Sequence, residues 1–400
     1  MGLFDSLRKR KERTTSMFDY DTFLEAAIAV IAGDWHSNLA ATQALLPVLE
    51  EAQKKNIKII SMGDYVGYNA EPNEVCDALR GITHHAVMGN HDLRVAHLDP
   101  NLHLEGMGNG ETIEGITQQF SDVAEIAADY SAHVLTKRNM TALAELPFEG
   151  RVKANGLPIH FFHANVHDPQ LFAYLKSELY VYTAYEKKGG RILNSKVLEN
   201  VINIAKSFEA MRERDISLAI VGHSHHEGLW EVARGDKPYL DVVRQGTEIN
   251  EDGEIVSSMR VIIPDEYKFS SYSPNFVGPN GTVLPAVPQP QKVASYPISP
   301  DKLTILNPGS VGQPRDFHPY ASFGVIRSNG TGYIFQLYKT WYDIGRTVKA
   351  IESKRVQLID IIAEHLFGNS DDLTWEHKEV AQQEFGQFYQ NLKKRIERGH

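Results

Sequence analysis

Gly89-Asn90-His91-Asp92 follows the short apolar run Ala86-Val87-Met88 and sets an amide, an imidazole and a carboxylate at three consecutive positions of a tight turn. The same design recurs along the chain. The run at 26–32 (AAIAVIA) leads into Gly33-Asp34-Trp35-His36-Ser37-Asn38, and the run at 57–62 (IKIISM) into Gly63-Asp64. Leu157–Phe162 is followed by His163-Ala164-Asn165, and 216–221 (ISLAIV) by Gly222-His223-Ser224-His225. Each run has strand length. Helical spacing fills the intervals: Leu45, Leu46, Val48, Leu49 and Ala52 within 39–56, then Pro72–Leu79 with its proline in the first turn. Strand, loop and helix in repetition predict an α/β domain with a mostly central sheet. In such sheets the chemistry sits on loops beyond the carboxyl ends of the strands, which is where these polar clusters fall.

The remaining pattern divides the chain. Residues 1–20 read as a polar leader, 21–350 as the main domain and 351–400 as a C-terminal helical extension. Within the main domain, 93–150 is largely helical and reads as a cap beside the mouth. Residues 232–302 read as an insertion, with strand-like alternation at 240–263 and a Pro-, Gly- and Ser-rich loop or linker at 274–300. The core resumes at Leu303-Thr304-Ile305-Leu306, before Asn307-Pro308-Gly309-Ser310, and 321–340 reads as two strands around Ser328-Asn329-Gly330. In the tail, Phe385, Phe388, Tyr389, Leu392 and Ile396 share a helix face. That face packs either on the core or on a partner subunit of a homo-oligomer.

Composition narrows the function classes. A chain of 400 residues with 42% hydrophobic content can bury a large core. Its charge balance, 41 basic against 51 acidic residues for a net −10, argues against an extensive nucleic-acid surface. The single cysteine, Cys76, allows neither an internal disulfide nor a thiolate zinc site; a buried thiol in a reducing, cytoplasmic setting is the expectation. No apolar run reaches the roughly 18 residues of a membrane span, and no secretory signal is expected from the N-terminus. Met1-Gly2-Leu3-Phe4-Asp5-Ser6, with basic residues from Arg8 to Arg13, matches the myristoylation pattern; a plain polar leader is the alternative.

The strand-end residues Asp34, His36, Asp64, Asn90, His91, His163, His223 and His225 form an oxygen and nitrogen donor set suited to manganese, iron, zinc or nickel. One Asp after a strand is often a turn former, and one His near a sheet is often packing. A whole series, each at the end of an apolar run, has no such structural explanation. The ligands are too many for one ion with an open position, and two ions sharing one carboxylate fit the count.

These motifs resemble those of the calcineurin-like metallophosphoesterase superfamily. Its ordered signature is Asp-x-His, Gly-Asp, Gly-Asn-His-Asp/Glu, an isolated His and Gly-His-x-His. The matching elements here are Asp34/His36, Gly63-Asp64, Gly89 to Asp92, His163 and Gly222 to His225. Gly63-Asp64-Tyr65-Val66-Gly67-Tyr68 and Asn307 to Asp316 resemble the small prokaryotic-type branch, and Gly67-Tyr68 with Asp92 differ from the Ser/Thr protein phosphatases. The resemblance implies a β-sandwich core flanked by helices. It implies one ion held by Asp34, His36, Asp64 and His225, and a second by Asp64, Asn90, His163 and His223. The ions would be divalent, manganese first. It further implies hydrolysis of a phosphomonoester, phosphodiester or nucleotide by a metal-bridging hydroxide, with His91 assisting the leaving group and Asp92 orienting His91.

Asn38 and Arg315 are expected at the substrate. Arg315 would fork onto a phosphate or pair with Asp316. Two alternatives to a small-substrate enzyme remain: a non-catalytic scaffold of the same fold, and a nuclease of the superfamily.

Overall fold

A computed structural model of the chain describes residues 18–98, 122–170, 172, 175, 195–234, 248–249, 255–256, 289–315, 320–367 and 373–398. The N-terminal myristoylation pattern, most of the expected insertion, and Asp316 lie outside these residues. In chain order the first strands are β1 (Ala27–Ala32), β2 (Lys58–Ser61), β3 (His85–Ala86), β4 (Glu149–Ala154), β5 (Leu157–Phe162), β6 (Leu218–Ile220) and β7 (Glu227–Ala233). They are followed by β8 (Glu248–Ile249), β9 (Ile255–Val256), β10 (Gln291–Ile298), β11 (Lys302–Pro308), β12 (Ala321–Ser328) and β13 (Tyr333–Thr340).

Two sheets carry the core. One runs in the order β10-β13-β12-β1-β2-β3, the other β4-β5-β6-β11-β7, and β8 and β9 form a separate short ladder. Within the first, β1, β2 and β3 are parallel; within the second, β5, β6 and β11 are parallel. Both sheets are covered on both faces, which is why their strands read as continuous apolar runs rather than alternating ones. Alternate residues still go opposite ways. Val30, Ala32 and Ile59 pack outward on Leu45, Val48 and Leu49 of the helix Leu39–Lys54, and on Val75 and Leu79 of Pro72–Leu79. Ala29, Ile31 and Ile60 point inward, against Ile159, Phe161, Ile220 and Leu306 of the second sheet. Beyond that sheet, Phe162, Ala219, Trp230 and Ile305 meet Ile204, Phe208 and Met211 of the helix Ser195–Glu213. The result is helix, sheet, sheet, helix: the sandwich implied by the resemblance rather than one central sheet.

One local expectation is corrected. Residues 291–298, expected within a linker, form the outermost strand of the first sheet, where Pro297 sits without disrupting a central ladder. Residues 149–154, which start at the C-terminal end of the expected cap, form β4, an edge strand whose Val152 and Ala154 alternate inward. Among the described residues, the C-terminal extension holds the helices Arg355–Phe367 and Trp375–Arg398.

The apolar face of the last helix is covered within the chain. Phe385, Phe388 and Leu392 pack with Ile351, Leu358 and Ile362 and against Tyr68, Ala70, Ile126 and Tyr130. The extension therefore backs the loop after β2, which carries Asp64. No described helix is long and apolar enough to cross a membrane. Leu392→Ala, at a fully buried position, is expected to cost about 2–5 kcal/mol of stability, measured by chemical denaturation. An unchanged midpoint would mean that the extension is not part of the core.

Candidate metal centre

The two parallel triplets end at one rim. From the first sheet come the loops after β1, β2 and β3, with Asp34, His36, Asp64 and Asn90; from the second come those after β5 and β6, with His163, His223 and His225. The loops turn sharply. Asp34, His36, Asp64, His223 and His225 all have left-handed φ, between 45° and 64°. That conformation costs roughly 1–2 kcal/mol per non-glycine residue and persists only where surrounding structure holds it. Cross-links do so here. Asp34 N donates to Gly63 O at 2.9 Å, His36 N to Asp64 O at 2.9 Å, Gly222 N to His163 O at 2.7 Å, and Gly312 N to Asp34 O at 2.8 Å. His91 N donates to Asp64 Oδ1 at 2.9 Å, and His223 N to Asp34 Oδ2 at 3.1 Å. Gly89 permits the close approach of the third loop: a Cβ there would stand 2.0 Å from Asp64 Oδ1.

The side chains converge as two overlapping groups. Asp34, His36, Asp64 and His225 offer donor atoms within 4.8 Å of one another, and so do Asp64, His163 and His223. Asp64 belongs to both. Its Oδ2 is buried, has no hydrogen-bond partner, and faces His163 Nε2 at 3.4 Å and His36 Nε2 at 3.6 Å.

Tautomers make the case for cations. His36 Nδ1 lies 3.0 Å from Val66 O, His225 Nδ1 2.7 Å from Gln313 O, and His163 Nδ1 2.6 Å from Met62 O. A carbonyl only accepts, so each Nδ1 carries a proton, and the neutral rings of His36 and His225 turn a bare lone pair on Nε2 into the centre; against the effect of burial, the Asp64 carboxylate pushes His163 up to about 9. Yet His36 Nε2 and His225 Nε2 are 2.9 Å apart. Lone pairs so opposed need positive charge between them. Burial pushes the His36, His223 and His225 imidazoles well below their ordinary range, keeping them neutral donors. Burial also pushes the Asp34 carboxyl up to about 8, as expected of an acid short of counter-charge. The residues fit two divalent ions. Anchoring each Nδ1 on a carbonyl is also the usual outer support of a metal-binding imidazole.

Other expected site residues divide. His91 is 4% exposed, its ring 4.8 Å from that of His36, and burial pushes it down to about 4. Gly67 leaves room for it: its φ is +92°, and a Cβ would meet His91 Nδ1 at 2.3 Å. Asp92 was expected to orient His91, but its carboxylate goes elsewhere. It accepts from Tyr65 N at 2.8 Å and Gly89 N at 3.1 Å, a first-turn carboxylate that ties the Asn90–His97 helix to the loop after β2. Asn38 is likewise corrected. It is fully buried, caps the Leu39–Lys54 helix through Ala41 N, donates to Gly312 O at 2.9 Å and accepts from Thr347 Oγ1 at 2.9 Å. That leaves no face for a substrate.

Arg315 does reach the centre. Its Nη2 donates to Tyr68 OH at 3.1 Å and to Gln313 Oε1 at 3.0 Å, and its charge bears on His36, His91 and His225. Sequence reasoning missed Tyr68 and Phe172, whose rings line the site. It also missed the carbonyls of Met62, Val66 and Gln313, since a backbone acceptor leaves no mark in composition.

The calcineurin-like phosphoesterase family matches residues 29–227. An uncharacterized protein of Methanocaldococcus jannaschii is 26% identical over 345 residues, 86% of this chain and 98% of its own. A metallophosphoesterase from Sphaerobacter thermophilus aligns with a TM-score of 0.47 at 18% identity, covering 93% of this chain and 98% of its own. A hypothetical protein from Pyrococcus horikoshii aligns with a TM-score of 0.46 at 14% identity, covering 88% and 96%.

The capping role of Asn38 is testable. Asn38→Ala is expected to lower stability by about 1–2 kcal/mol and to leave the affinity for inorganic phosphate unchanged in calorimetric titration. Lost phosphate binding at unchanged stability would return Asn38 to the substrate.

Proposed function

The chain belongs to the calcineurin-like phosphoesterases through residues 29–227, and from that premise we propose that it hydrolyses a small phosphoric ester at a dinuclear metal centre. The observation that carries this reading is the 2.9 Å approach of the bare His36 and His225 Nε2 atoms beside a shared, buried Asp64. A scaffold would not need that arrangement, and the net charge of −10 speaks against a nuclease.

Asp34, His36, Asp64 and His225 would hold one ion, and Asp64, Asn90, His163 and His223 the other. Bound there, the pair supplies a water of lowered pKa and neutralises charge developing at phosphorus. The chain's own part is positional. His91, fixed through its backbone N–H on Asp64, holds its imidazole at the leaving-group side and gives a proton or hydrogen bond to the departing oxygen. Arg315, steadied by Tyr68 and Gln313, presents a fixed guanidinium to a non-bridging phosphate oxygen. The substrate is a phosphomonoester, phosphodiester or nucleotide, and the single cysteine suits a cytoplasmic setting.

Purified protein with Mn²⁺ is expected to hydrolyse a chromogenic phosphomonoester or diester, to lose activity to a chelator and to regain it on adding metal. His91→Ala should lower kcat by about 10²–10⁴-fold, and Asp64→Asn should abolish turnover. Equal rates in the wild type and both variants would contradict the assignment.

A further inference from the structure

Two aromatic residues beside the centre share an unusual backbone. Tyr68 has φ +54° and Phe172 φ +52°, a left-handed conformation that bulky side chains rarely adopt. Both are almost fully buried, at 6% and 1% exposure. Such strain survives only where the surroundings impose it, and it gathers at functional sites. What the two rings touch is specific. Tyr68 lies 4.8 Å from the ring of His36, at 76°, and 6.3 Å from that of His225, at 86°. Phe172 lies 5.6 Å from the ring of His163, at 72°, and 6.3 Å from that of His223, at 46°. Each aromatic ring therefore meets both imidazoles of one half of the centre, and Tyr68 also lies 4.7 Å from the ring of His91. The division follows the two donor groups that share Asp64.

We infer that Tyr68 and Phe172 are positioning residues, one for each ion: Tyr68 braces the imidazoles of the Asp34, His36 and His225 half, and Phe172 those of the Asn90, His163 and His223 half. The inference rests on the dinuclear reading above. A ligand imidazole must be fixed both in tautomer and in ring direction. The carbonyls of Val66, Gln313 and Met62 fix the Nδ1 end of His36, His225 and His163. A carbonyl still allows the ring to rock about that bond. An aromatic ring packed against the imidazole stops the rocking and keeps Nε2 on the ion. Edge-to-face and tilted contacts of this kind are favourable in themselves, and outer-shell supports of metal ligands are worth about 10–100-fold in metal affinity. In this chain left-handed backbone at Tyr68 and Phe172 accompanies the burial of each ring beside the centre. Tyr68 has a second, separable task through its hydroxyl, which accepts from Arg315.

The test is Mn²⁺ titration of the metal-stripped full chain, followed by calorimetry and by electron paramagnetic resonance of bound Mn²⁺. The wild type should take up two ions. Tyr68→Leu and Phe172→Leu, which keep the space filled and so guard the fold, should each weaken one ion about 10–100-fold and spare the other. Crossed variants identify which. With the first half disabled by His36→Ala, Phe172→Leu should strip the remaining ion and Tyr68→Leu should leave it. With His223→Ala the pattern should reverse. Tyr68→Phe keeps the ring and should retain both ions. Two ions whose affinities ignore both rings, or fall equally in both variants, would overturn the braces. A wild type that binds no second ion would overturn the dinuclear reading itself.

Discussion

Asp64 places a carboxylate oxygen in the interior of the protein, without a hydrogen bond and among imidazole nitrogens at 3.4 and 3.6 Å. A buried charge is costly unless it is matched. Here two of the neighbours, His36 and His225, are themselves lone-pair donors, because each spends its one proton on a backbone carbonyl. The cluster is an excess of electron pairs enclosed by protein, and divalent cations would complete it. Much of the surrounding architecture can be read as the means of assembling that deficit. The sandwich brings two parallel strand triplets to one rim, the strand-end turns adopt left-handed backbone, and cross-links between loops hold them there.

The rim is supported from several directions. Asp92 and Asn38 stiffen the loops from beneath, as helix caps whose bonds reach across to Tyr65 and Gly312. On the second sheet, Asn307 Nδ2 holds Gly222 O at 2.8 Å, and Ser310 Oγ holds Asp34 O at 2.9 Å. The C-terminal helices press on Tyr68 and Ala70 from behind. A segment that reads as an appendage in the sequence is thus continuous with the wall of the site.

The strands that end at the site were legible because both sheet faces are buried, so 27–32 and 218–220 appear as unbroken apolar runs. The candidate metal-binding residues were legible because they lie just beyond such runs. The partition into two sheets was not. It depends on pairing between segments distant in sequence, such as Thr304 with Leu218, and local pattern carries no record of a partner. The edge strands β4 and β10 were hidden by charged residues and by Pro297, which edges tolerate and central strands do not. Asp92 and Asn38 were misassigned for one physical reason. In a strand–loop–helix unit the helix N-cap and the catalytic mouth occupy the same few residues, and both favour Asp and Asn. Tyr68 and Phe172 were invisible as a pair because ring contacts between remote loops have no sequence period.

Anomalous scattering from crystals grown with Mn²⁺ examines the central claim most directly. Two peaks roughly 3.5–4 Å apart, with the Asp64 carboxylate between them, are the expected result. No peak, or a single peak away from Asp64, would contradict it.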